Sequence, residues 1–182
     1  MAWTQVLARL QRRVGLIDAV VFSGGEPTLD PALEEAIDQT RALGFGIGLH
    51  TSGAYPRRLA QVLPLVDWVA MDAKTSFQDY DAITRVADSG RYALNSAEII
   101  LTSGVPHEFR TTVHPELHAE NEILSLAKTL SAMGVQNYAL QVFRSTGCDD
   151  EKLNAVSTAG YPSADLVAQL SGMFARFQLR RE

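Results

Sequence analysis

The chain has 182 residues, of which 46% are hydrophobic and 20% charged, and a formal net charge of -5. That length supports one domain with a substantial core, and the composition is not that of a disordered chain. The acidic balance argues against an extended nucleic-acid surface, no run approaches the ~18 apolar residues of a membrane span, and the lone Cys148 excludes an internal disulfide. With no signal-peptide core at its N-terminus, the chain is expected to be cytoplasmic.

Trp3, Val6, Leu7, Leu10 and Val14 share a helical stripe that Gly15 can stop. Asp18 to Phe22 reads as a short buried strand, and the sharp Ser23-Gly24-Gly25-Glu26-Pro27 connection follows it. Asp30 and Pro31 predict a helix start, Leu33, Ile37, Thr40 and Leu43 its buried stripe, and Gly44 its end. Further strands are expected at Phe45 to Leu49, Leu65 to Met71, His107 to His114 and Val135 to Phe143. Between them fall a helix from Pro56 to Leu63, two helices within residues 77 to 103, and one carrying Ile123, Leu126, Ala127, Leu130 and Met133. A polar loop then leads to a last helix on Leu166, Leu170, Met173 and Phe177. Trp68 and Phe22 are assigned to the core. Such alternation implies a parallel sheet with right-handed crossovers, and about five strands are too few to close an eight-stranded barrel. The expected fold is α/β in one domain, an open arc or a doubly wound sheet, beginning on a helix as though a first strand were missing.

In a parallel sheet the C-terminal strand ends share a crevice. Those ends supply Gly24, Gly25 and Glu26, then His50 and Thr51, Asp72 and Lys74, Arg110 and Thr112, and finally Gln141 and Arg144. Two successive glycines leave backbone N–H groups uncovered, and Glu26 adds a carboxylate. Asp72 and Lys74 stand two apart, as do Arg110 and Thr112, so each pair is expected on one face. Charges partly buried there need partners, and a zwitterionic ligand would suit them; screening at a sheet rim is the plainer alternative. His107, His114 and His118 invite a metal site, but Pro115 interrupts the helical spacing of the last two, and no metal ligand is assigned. Cys148 is read as inert, having no histidine or cation pattern nearby.

Gly24-Gly25-Glu26-Pro27, Thr51-Ser52-Gly53, Asp72-x-Lys74, and Arg110-x-Thr112 before Pro115 occur in an order that resembles the radical S-adenosylmethionine activating enzymes. The chain looks most like the anaerobic ribonucleoside-triphosphate reductase activating proteins and is similar to pyruvate formate-lyase activating enzyme. The resemblance implies an open partial (β/α)6 TIM-like barrel. By it, Gly24, Gly25 and Glu26 would hold the amino group of the methionine portion of S-adenosylmethionine, largely through backbone. Thr51, Asp72 and Lys74 would surround its carboxylate, and Arg110, Thr112, Gln141 and Arg144 would line the ribose and adenine side. The implied partners are a glycyl radical enzyme, anaerobic ribonucleoside-triphosphate reductase, whose glycyl loop enters the open side, and an electron donor such as flavodoxin or ferredoxin.

Two residue patterns depart from the family. His50 stands where activases of the pyruvate formate-lyase type have an acidic residue that helps hold a monovalent cation. The Cys-x3-Cys-x2-Cys motif that binds the family's 4Fe-4S cluster is absent, and Cys148 does not replace it. The expectation is therefore one radical S-adenosylmethionine domain over residues 1–182, truncated at its N-terminus, inactive alone and without an assigned catalytic residue. Two other readings are a small radical enzyme acting on a metabolite, such as a 7-carboxy-7-deazaguanine synthase, and a non-catalytic binding module on the same fold.

Overall fold

The computed structural model describes residues 2–146 and 148–181. Six strands form one parallel sheet: β1 (Ala19–Phe22), β2 (Gly46–Thr51), β3 (Trp68–Asp72), β4 (His107–Val113), β5 (Asn137–Val142) and β6 (Arg176–Arg180). They pair in sequence order, from β1 at one edge to β6 at the other. Sequential order means that every right-handed crossover steps the same way, which places the connecting helices on one face. The sheet is thus an open barrel arc, and the doubly wound alternative falls.

The helices are α1 (Trp3–Gln11), α2 (Leu33–Ala42), α3 (Pro56–Val62), α4 (Tyr80–Thr84), α5 (Ser89–Ser103), α6 (Glu120–Ala132), α7 (Glu151–Asn154) and α8 (Ala164–Ser171). Alternation along each strand sorts its side chains into two environments. Leu49, Val69, Met71, Phe109, Val113, Tyr138 and Leu140 join the core beneath the helices, where Ile123, Leu126 and Leu130 of α6 and Leu166 and Leu170 of α8 meet them. Residues of the other parity, including His50, Asp72, Arg110, Thr112 and Gln141, face the hollow of the arc.

Three expectations are corrected. Among the described residues the strands number six, because α8 ends at Ser171 and the next segment turns into β6. Phe177 packs against the core from that strand and does not continue the helix. Asp30 does not begin α2: Pro27–Leu29 forms a 3-10 turn, and Asp30 Oδ1 accepts from the Ala32 N–H at 2.9 Å ahead of the helix. Trp68 lies outside the core cluster, on the hollow side, with its ring edge-on to His50 at 5.7 Å, whereas Phe22 packs partly against the core.

Candidate active site

The turn after β1 is fixed by one carboxylate. Glu26 Oε1 accepts from the Thr28 hydroxyl at 2.7 Å, the Thr28 N–H at 3.3 Å and the Thr51 hydroxyl at 2.9 Å. Its Oε2 accepts from the Ser52 N–H at 2.7 Å and the Ser52 hydroxyl at 2.5 Å. Burial pushes the Glu26 carboxyl up, but the hydrogen bonds from Ser52, Thr28 and Thr51 outweigh it and hold the group below its ordinary 4.5. The ionised side chain is therefore a tie between the first two strand ends, with its acceptor sites filled from inside the protein.

What this tie leaves open is backbone. Gly24 has φ +126°, a conformation that side-chain-bearing residues rarely adopt, and a Cβ built at either Gly24 or Gly25 meets nothing within 4 Å. The two peptide units border empty space at the crevice. Thr51 is 2% exposed and stands on the core side of β2, so its hydroxyl reaches Glu26 and receives the Gly53 N–H.

Inside the hollow, register sets Asp72 of β3 beside Arg110 of β4. Arg110 Nε donates to Asp72 Oδ1 at 2.9 Å, and Arg110 is 8% exposed. Arg110 Nη1 lies 3.2 Å from His50 Nε2. Burial and the neighbouring Arg110 cation hold His50 below its ordinary 6.5, so the imidazole is neutral and accepts from the guanidinium. Thr112 is exposed and Gln141 half-buried, neighbours in register further along the hollow. Across β5, Arg180 grips Glu108 through two bonds of 2.8 and 2.9 Å.

Lys74 lies two residues past the end of β3 with an exposed side chain, while its backbone is clamped. Its N–H donates to the Tyr80 hydroxyl at 3.0 Å, and its carbonyl accepts from His118 Nε2 at 2.8 Å. The Tyr80 hydroxyl in turn donates to the Asp72 carbonyl at 3.2 Å. His114 Nδ1 accepts from the Glu116 N–H and its Nε2 meets the Leu153 carbonyl, so both histidines of the sequence pair use their rings to fasten loops. Arg144 stands apart, exposed in an open cavity of about 650 Å³ that also includes Arg181. Ser52 and Tyr80 were absent from the sequence-based set, and His118 was weighed there only as a metal candidate. Ser52 was legible within Thr51-Ser52-Gly53, but no local pattern marks the bonds that Tyr80 and His118 make to the Lys74 backbone.

A model of the Radical SAM superfamily matches residues 3–129. The chain belongs to that superfamily. It is 31% identical over 142 residues to a Methanocaldococcus jannaschii protein provisionally named as a glycyl-radical enzyme activating enzyme. The match covers 74% of this chain and spans 58% of that relative's length. A domain of pyruvate-formate lyase-activating enzyme from Bacteroides vulgatus superposes with a TM-score of 0.67 at 15% identity, covering 91% of this chain and 100% of that one. SuiB of Streptococcus suis bound to S-adenosylmethionine gives a TM-score of 0.70 at 11% identity, over 100% of this chain and 42% of that one. These structural likenesses concern the fold.

Radical SAM proteins use S-adenosylmethionine with a 4Fe-4S cluster, and the residues here fit the two groups differently. The uncovered backbone at Gly24 and Gly25, together with the charged and polar hollow, suits a zwitterionic nucleoside. The cluster does not fit: among the described residues no three His, Cys, Asp or Glu side chains are placed to hold a metal, and Cys148 is the one thiol.

Proposed function

We propose that this chain is the cofactor-holding and partner-facing part of an activating enzyme for anaerobic ribonucleoside-triphosphate reductase, a glycyl radical enzyme. The reading is carried by the Gly24–Gly25 cradle, whose adjoining carboxylate is wholly engaged by Thr28, Thr51 and Ser52. The name of the Methanocaldococcus jannaschii relative and the order of the four sequence motifs support the class of partner, and this reductase as the target rests on the resemblance of the sequence to the reductase-activating proteins.

In this reading the backbone carbonyls at Gly24 and Gly25 accept from the amino group, with Glu26 and Thr51 acting one step removed by fixing the turn. Asp72 and Lys74 border the amino-acid end, while Arg110, Thr112 and Gln141 flank the nucleoside, and Arg144, in its separate cavity, takes no part. S-adenosylmethionine is the radical source in this superfamily. The one thiol of these 182 residues, Cys148, cannot hold a cluster, so in this reading the chain binds the cofactor without cleaving it, and reduction would come from a donor such as flavodoxin or ferredoxin.

Equilibrium dialysis with labelled S-adenosylmethionine tests the reading. The chain should bind it saturably, and Gly25→Val should weaken binding about tenfold or more, a loss of ~1.4 kcal/mol or greater. Folding should be unaffected, because a side chain at Gly25 meets nothing within 4 Å. Unsaturable binding by the folded chain, or unchanged affinity in Gly25→Val, overturns the proposal.

A further inference from the structure

Beside the second and third strand ends, two cavities share a wall along the outer rim between α3 and α5. The inner one, about 220 Å³, includes Ser52, Lys74, Tyr80 and Val86, and Tyr55 and Tyr92 divide it from the outer one. The outer cavity, about 710 Å³, adds Arg57, Arg58 and Arg91. Four cations therefore gather along one trough of a chain whose formal charge is -5.

These cations are unequally committed. Arg58 is tied to the Thr28 carbonyl, Glu34 and Gln61. Arg57 forms no ion pair among the described residues. Arg91 comes no nearer than 3.9 Å to Asp88, both side chains being 71% exposed, and its guanidinium carbon lies 5.4 Å from the Tyr92 ring centre. Tyr55, Tyr92 and Val86 are themselves exposed, so apolar and aromatic surface lies between the available charges. Ser52 and Lys74 belong to the turns that frame Glu26 and Asp72, which opens the trough toward the crevice.

We propose that the trough seats an acidic polypeptide segment of the partner enzyme. Its carboxylates meet Arg57 and Arg91, and one apolar or aromatic side chain enters the inner cavity beside Val86. This inference rests on the reading of the chain as acting on a protein. A cationic rim around a small, largely apolar cavity matches a peptide anchor flanked by carboxylates. A nucleic acid would carry its phosphates beyond the trough, over a chain of net charge -5.

Fluorescence anisotropy with a short labelled peptide of alternating glutamate and tyrosine tests it on the full chain. The chain should bind this peptide and not its lysine–tyrosine counterpart. Arg57→Glu combined with Arg91→Glu should weaken binding about tenfold or more, as should Tyr92→Ala. Arg12→Glu, a similar charge reversal beside α1, should leave it unchanged. Equal loss in Arg12→Glu, no loss in the trough variants, or tighter binding of single-stranded oligothymidine with the same arginine dependence would overturn the proposal. The two ligands separate the two readings: arginine-dependent peptide binding by a chain that binds no S-adenosylmethionine sinks the cofactor reading alone. S-adenosylmethionine binding without arginine-dependent peptide binding sinks this one alone.

Discussion

Five donors converge on the Glu26 carboxylate, and three of them come from Thr51 and Ser52, 25 and 26 positions downstream. Sequence placed Glu26 correctly at a strand end, because the apolar run before it and the glycines beside it are local signals. It did not reveal what the side chain touches, because hydrogen bonds at that separation leave no periodic trace. The same holds for Lys74, whose backbone partners Tyr80 and His118 lie 6 and 44 positions away. Glu26→Gln turns one acceptor into a donor facing donors, leaving partly buried groups unsatisfied. We expect a loss of about 2 kcal/mol, or a melting temperature lower by roughly 4–8 °C, and a similar loss for Thr51→Val, which removes one donor to Glu26 and the acceptor of the buried Gly53 N–H. Equal melting temperatures for wild type and Glu26→Gln would show that the tie is dispensable.

Most helices and five of the strands were legible because their apolar spacing had one solution. The C-terminal segment had two. Leu166, Leu170, Met173 and Phe177 fit a helical stripe, but Arg176–Arg180 also alternates polar and apolar with period two, and Phe177 satisfies both patterns. The free edge of β5 decides between them: five residues of β6 pair with Asn137–Gln141, satisfying backbone that a longer α8 would leave open. At the α4–α5 junction the decisive feature is space, which sequence does not display. A Cβ at Gly90 would lie 1.8 Å from the Phe77 carbonyl oxygen, a backbone atom. Gly90→Ala gains at most about 1 kcal/mol of helix propensity near the start of α5, against an overpacking cost of about 1–3 kcal/mol compounded by the backbone shift. The variant should therefore be less stable, with a lower urea midpoint at unchanged slope. A higher midpoint would mean that the α4–α5 turn yields freely.

Because the strands follow in sequence order, the hollow collects side chains of one parity from successive strands, and the molecule must keep several titratable groups in a fixed state there and beneath it. Burial holds His118 below its ordinary 6.5, and burial with the Arg110 cation does so for His50. Both must stay neutral: protonation would strip the acceptor that His118 Nδ1 offers the His114 N–H and set a second cation against Arg110. As pH falls through 6.5 the unfolded chain takes up protons that the folded chain refuses, so stability falls. Glu26 extends the loss below 4.5, where the unfolded carboxyl protonates before the tied one. At the alkaline end the sign reverses. Burial raises Tyr80 and Tyr161 to about 12 and Tyr138 as well, so above 10 the unfolded chain loses protons that the folded chain keeps, and stability falls again. Urea midpoints should thus be level between about pH 7 and 9.5 and lower on both sides, with His118→Gln flattening the limb just below neutrality. A midpoint at pH 5.5 above that at pH 7.5 would mean that these histidines carry their protons in the folded protein, which overturns the neutral state of His50 and His118.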